Sequence, residues 1–145
     1  MRNWSMVIGG VVLGAALIAG CGGGSAAPAA SGGASGATVT ATLKDLTLTI
    51  DKTTAKAGDV TFKAVNQGAL VHELVVIKTD LAPDKLPQKD GKADENAGTV
   101  VGEIAEFPGG KTETKTFKLE AGKYLLLCNV AGHYAAGMTT AFTVQ

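Results

Sequence analysis

From residue 46 onward, apolar and polar side chains alternate with a period of two, the spacing of a strand and not of a helix. Leu46, Leu48 and Ile50 alternate with Thr47 and Thr49, and Val60, Phe62 and Ala64 alternate with Thr61 and Lys63. Each pattern predicts a strand with one inward and one outward face. Residues 70–77 form a mostly apolar run interrupted by Glu73, and 124–128 is continuously apolar, as expected of a strand covered on both faces. Further strands are predicted at 99–104, at 112–119, where Thr and Lys point to half exposure, and at 139–144. Turn-forming residues punctuate these runs at Gly58-Asp59, Asn66-Gln67-Gly68, Pro108-Gly109-Gly110 and Gly122-Lys123. Seven to eight short strands so spaced predict an all-β fold, an antiparallel β-sandwich of Greek-key type. The polar stretch 80–98, with Pro83, Pro87 and Gly91, is too long for a tight hairpin and reads as an inserted loop with room for one helical turn.

Ahead of the strands the pattern changes. Arg2 precedes an apolar run over 6–19, shorter than the roughly 20 residues that cross a hydrocarbon core and suited to the h-region of a secretory signal. The run ends Leu17-Ile18-Ala19-Gly20-Cys21, which resembles the lipobox of bacterial lipoproteins. That resemblance implies cleavage before Cys21 and acylation of its thiol. Residues 22–37 hold six Gly, six Ala, three Ser and one Pro, a flexible tether with a reach of roughly 20–24 Å. The expected organisation is a signal peptide at 1–20, a lipidated Cys and tether at 21–37, and one domain at 38–145. The expected location is extracytoplasmic, on a bacterial membrane through the lipid anchor.

Thirteen basic residues balance thirteen acidic ones, and every charge except Arg2 lies after residue 43. A chain without a basic stripe is not expected to bind nucleic acid. The strand-rich part is long enough to bury one core as a monomer and too short for two domains. With Cys21 acylated, Cys128 is its lone thiol. In an oxidising compartment such a residue must be buried or occupied.

After the tether, the side chains able to hold a soft metal are His72, His133, Cys128 and Met138, with no others of their kind. Two His and a Cys in a trigonal set with a weak axial Met make a blue-copper electron-transfer centre. Cys128, His133 and Met138 lie on one loop with four residues between neighbours, and Gly132 and Gly137 let that loop fold tightly. Zinc also takes Cys and His, but Met is a poor zinc ligand. With four ligands from protein, no coordination position stays open for a substrate, so an enzyme is not expected.

On the Cys-x4-His-x4-Met loop and the upstream Asn66-x-Gly68-x3-His72, residues 38–145 resemble the cupredoxins, the plastocyanin and azurin type of blue copper protein, with a loop length most like auracyanin and rusticyanin. The resemblance implies one type 1 copper ion, bound in a plane by His72, Cys128 and His133 and capped by Met138. It further implies a small apolar docking ring around the edge of His133, drawn from Leu70, Val71, Ala131, Tyr134, Ala135 and Ala136. One departure is Glu73, where many members have Asn bracing the ligand loop. The function so implied is a membrane-anchored carrier of single electrons between membrane or periplasmic redox partners. The alternative is a copper-binding module for delivery or tolerance, which Met-rich or His-rich tracts would favour; the sequence has none.

Overall fold

The computed structural model describes residues 36–145. The expected signal peptide, Cys21 and nearly all of the tether lie outside the described residues. Eleven strands follow in chain order: β1 (Ala37–Lys44), β2 (Thr47–Ile50), β3 (Thr54–Ala55), β4 (Gly58–Asn66), β5 (His72–Lys78), β6 (Gln88–Lys89), β7 (Lys92–Ala93), β8 (Thr99–Phe107), β9 (Thr112–Leu119), β10 (Gly122–Leu127) and β11 (Thr139–Val144). A 3-10 turn, Glu95–Ala97, precedes β8. One sheet has the order β2-β1-β4-β9 and the other β3-β11-β10-β5-β8, while β6 and β7 form a separate hairpin.

The two sheets pack face to face as a cupredoxin-like sandwich. Val39, Ala41 and Leu43 of β1 and Val60, Phe62 and Ala64 of β4 meet Leu74 and Val76 of β5, Leu126 of β10 and Phe142 of β11. The Phe62 ring stands edge-on to Phe142 at 5.5 Å between centroids and tilts against Phe117 at 6.1 Å. These aromatic contacts combine large apolar burial with favourable edge-to-face geometry.

The strands at β4, β5 and β8–β11 lie where the alternation places them, and four details differ. A first strand, β1, precedes those predicted and starts inside the expected tether, and with the short unpredicted β3 the two sheets hold nine strands where seven to eight were expected. Leu46 sits in the two-residue turn between β1 and β2 and is exposed, because the paired register Lys44↔Thr47 leaves it outside the ladder. The pairing is mixed, since β1 runs parallel to β4 and β3 parallel to β11. A chain that leaves one sheet, pairs briefly in the other and returns can rejoin in the same direction, which a tight hairpin cannot do.

The fourth detail concerns residues 80–98. They are no solvated loop: Asp90 and Gly91, both at positive φ, turn the β6–β7 hairpin, and the segment packs on the outer face of the second sheet. Leu86 and Ala93 meet Val75 and Ile77 of β5, Leu125 and Leu127 of β10, and Tyr134 in a second apolar cluster. The uninterrupted apolar runs of β5 and β10 are thereby explained. Alternate residues face the sandwich core on one side and the insert on the other.

Candidate metal centre

Two of the predicted ligands arise from strand ends at one pole of the sandwich. β5 begins with His72, and Cys128 follows directly on β10, which pairs with β5. Alternation turns Cys128 to the core side, as it does Leu126 two residues earlier. The 129–138 loop then carries His133 and Met138. Its internal hydrogen bonds run from His133 N–H to the Val130 carbonyl at 2.9 Å, and from Met138 N–H to the His133 carbonyl at 3.1 Å. The Cys128 amide donates to the Met138 carbonyl at 3.0 Å, which returns the end of the loop beside its start.

The route into His72 is fixed by Asn66, which is buried. Its side-chain Nδ2 donates to the carbonyls of Leu70 at 2.8 Å and Phe107 at 3.3 Å, and its Oδ1 accepts from the Gly68 amide at 3.0 Å. Both donors and the acceptor are therefore satisfied, and one carboxamide ties β4, the 67–71 loop and the end of β8 together. Gly68 and Gly109 are required by close approach: a Cβ on Gly68 would lie 2.7 Å from the Asp45 amide nitrogen, and one on Gly109 would collide with the Gly68 carbonyl.

His72, Cys128 and His133 are buried, with their ligand atoms within 4.8 Å of one another. The Cys128 Sγ lies 3.6 Å from His72 Nδ1 and 3.3 Å from His133 Nδ1, and the two imidazole rings are tilted with centroids 5.0 Å apart. With bonds of about 2.0 Å to nitrogen and about 2.3 Å to sulfur, trigonal ligands of one metal stand roughly 3.7 Å apart. The observed separations are close to that. Among the described residues, His72 Nε2 is buried without a partner, so none of them is a competing anchor that would turn its Nδ1 away. Met138 is fully buried in the core cluster that contains Cys128.

The electrostatics suit metal capture. Burial, followed by the neighbouring His133, lowers the pKa of His72, so its imidazole is held in the neutral, ligating form; Asp45 opposes this weakly. Burial raises the pKa of the Cys128 thiol against the backbone amides of Glu73 and Val130, which favour the thiolate. Without metal the thiol keeps its proton, and a buried thiol is protected from oxidation. The donor set and its spacing fit copper: one soft thiolate, two imidazoles and a thioether.

The departure at Glu73 does not remove the bond to sulfur, because the donor is the Glu73 backbone amide, at 3.5 Å from Sγ. Its side chain turns to the insert side of β5. There burial, then Glu103, raises the carboxyl pKa, and Lys92 opposes the rise. Of the expected docking residues, Leu70, Val71, Ala131, Ala135 and Ala136 are exposed near the strand ends that carry the ligands. Tyr134 is not: it is 3 % exposed and belongs to the second apolar cluster, its hydroxyl bonded to the insert. Sequence reasoning missed Asn129, whose buried carboxamide binds the same insert; its position beside Cys128 and Asp90-Gly91 in the facing segment were the available signals.

A buried Cys, two His and a Met at one pole of a β-sandwich define a soft-ligand metalloprotein. The model of the copper-binding plastocyanin/azurin family matches residues 36–145, and the chain belongs to that family; its cofactor is copper. Among solved structures, it is similar to reduced auracyanin from Roseiflexus castenholzii at 26% identity and a TM-score of 0.56, over 76% of this chain and 99% of that one. Auracyanin A, a blue copper protein from Chloroflexus aurantiacus, is 25% identical with a TM-score of 0.51, over 74% and 99%. Rusticyanin from Thiobacillus ferrooxidans shares the fold at 21% identity and a TM-score of 0.53, over 74% and 76%. Comparison with curated protein sequences gives no match.

Proposed function

We propose that this protein is a blue copper electron carrier, tethered through a lipidated Cys21 to the extracytoplasmic side of a bacterial membrane, on a periplasmic or outer face, that passes single electrons between membrane or periplasmic redox partners. The observation that carries the reading is the Cys128 sulfur flanked by two imidazole nitrogens in a buried pole. Copper supplies one-electron cycling when bound. The residues that would hold it are Cys128 as thiolate, His72 and His133 as neutral imidazoles, and Met138 as a weak thioether donor. Four protein ligands leave no position for substrate, which supports a carrier over an enzyme. Of the two histidines, His72 is fully buried and His133 is 8 % exposed, so the short route to a partner passes through His133. Leu70, Val71, Ala131, Ala135 and Ala136 provide the small apolar surface around it for docking.

The test is the visible spectrum of the protein after addition of Cu(II), with Cys128→Ser alongside. An intense thiolate-to-copper band that disappears in the variant, and that cycles reversibly on redox titration, is the expected result. A colourless protein would overturn the reading, and ready loss of Cu(I) to a chelator would assign it to copper delivery instead. Incorporation of labelled fatty acid that is lost in Cys21→Ser tests the anchor.

A further inference from the structure

The insert at 80–98 does more than cover the second sheet, because three residues of the ligand loop are bonded to it and two of them flank His133. The Gly132 amide donates to the Gly91 carbonyl at 2.7 Å. The Tyr134 hydroxyl donates to the Pro83 carbonyl at 2.6 Å and accepts from the Leu86 amide at 3.0 Å. At the other end, Asn129 follows Cys128 directly. Its Oδ1 accepts from the Ala93 amide at 2.7 Å, and its Nδ2 donates to the Ala93 carbonyl at 3.2 Å and to Glu95 Oε1 at 2.8 Å. The hairpin turn also touches the loop, since a Cβ on Gly91 would lie 3.1 Å from the Gly132 nitrogen.

The loop's own hydrogen bonds fix its shape but not its place against the sheets. Its contacts with the insert supply that second constraint, and they use buried polar groups whose release would leave donors and acceptors unpaired. We propose that Asn129 and Tyr134 are positioning residues that use the insert as a splint, holding Cys128 and His133 in ligating geometry before metal arrives and keeping them there when the charge of the site changes. The proposal rests on the assignment of Cys128 and His133 as copper ligands. It gives the insert a function inside the molecule, and it gives Tyr134 an anchoring role in place of docking. Ligand geometry of this kind is secured by the groups behind the ligands.

The experiment is residue-resolved amide hydrogen exchange on the copper-free full chain, comparing wild type, Tyr134→Phe and Asn129→Ala. Tyr134→Phe removes one oxygen and keeps the ring in its apolar cluster, so it provides the reading even where Asn129→Ala fails to fold. The expected result is exchange at least about tenfold faster at the His133 and Met138 amides, since Tyr134→Phe removes the two hydrogen bonds of the hydroxyl, with the Phe62 and Leu126 amides unchanged. In the copper-loaded variants the thiolate-to-copper absorption is expected to shift. Equal acceleration in loop and sheets would show a general loss of stability and overturn the proposal, as would unchanged loop rates. A wild type that forms no thiolate-to-copper band would defeat the copper assignment alone, since the exchange comparison is made without metal.

Discussion

The backbone amide of Glu73 donates to the sulfur of Cys128 across 3.5 Å, joining the start of β5 to the residue that follows β10. The bond comes from the main chain, so the identity of residue 73 is free to vary without altering the donor. The Glu73 side chain faces a different environment on the other side of the strand. It is nearly buried, with its pKa raised first by burial and then by Glu103.

A carboxyl whose pKa is raised by folding opposes the folded state once it ionises. Glu73 is therefore expected to contribute a loss of stability as pH rises from the unfolded value of about 4.5 through the higher folded one, opposite in sign to His72, whose lowered pKa favours the folded state as pH rises toward 6.5. Glu73→Gln removes that slope and stabilises the fold at neutral pH, while the wavelength of the copper-thiolate band stays as in wild type. Denaturant titrations between pH 4 and 8 check the first expectation, and absorption checks the second.

Asn66→Ala leaves the carbonyls of Leu70 and Phe107 without their side-chain donor. The expected cost is about 2–3 kcal/mol, or roughly 10–20 °C in melting temperature for a domain of this size. Asn66→Asp keeps the acceptor for Gly68 but cannot donate, so it should recover little. Thermal unfolding of the metal-free protein measures both.

Adjacent glycines in the β8–β9 turn should respond differently. Gly110 has φ +75 and open space around it, so Gly110→Ala carries only the left-handed backbone penalty of about 1 kcal/mol. Gly109→Ala drives a methyl group into the Gly68 carbonyl, and the loop leading to His72 must move. Its cost is expected to reach about 3 kcal/mol, with weakened copper retention that Gly110→Ala does not show. Unfolding and chelator competition on the two variants separate a local backbone penalty from displacement of a ligand.

Leu70 and Val71 are exposed at 45 and 42 % on the loop that enters His72. Electron self-exchange between two copies of the proposed carrier would bring these apolar surfaces together, so Leu70→Lys sets like charges against each other. The expected second-order rate falls about tenfold at low salt and recovers as salt screens the charge. Line broadening in mixtures of reduced and oxidised protein provides the rate; an unchanged rate would place docking elsewhere.

Local alternation made most of the sandwich legible. Val60, Phe62 and Ala64 lie in the core and the apolar run of β10 is buried on both faces, as their patterns require, because a strand's side chains switch faces at every residue. β1 carried the same signal in Val39, Ala41 and Leu43, masked by the small residues of the tether before it. The four ligands were legible for a different reason: their residue types are scarce, and Cys128, His133 and Met138 are held at fixed spacing on one loop. Parallel pairing of β1 with β4 was not legible, since a period of two is the same for either direction. Nor was the burial of Tyr134, because whether an aromatic ring faces water or an insert residue 51 positions earlier depends on a contact that no local pattern records.

The sequence by itself therefore determined which residues can bind copper and which runs become strands, since both follow from side-chain chemistry and local spacing. Only the tertiary structure decided that His72 stands beside Cys128, that the sulfur's donor is a backbone amide, and that the 80–98 insert binds the ligand loop. Those relationships join residues 56, 55 and 36 positions apart, and long-range packing is what brings them within bonding distance.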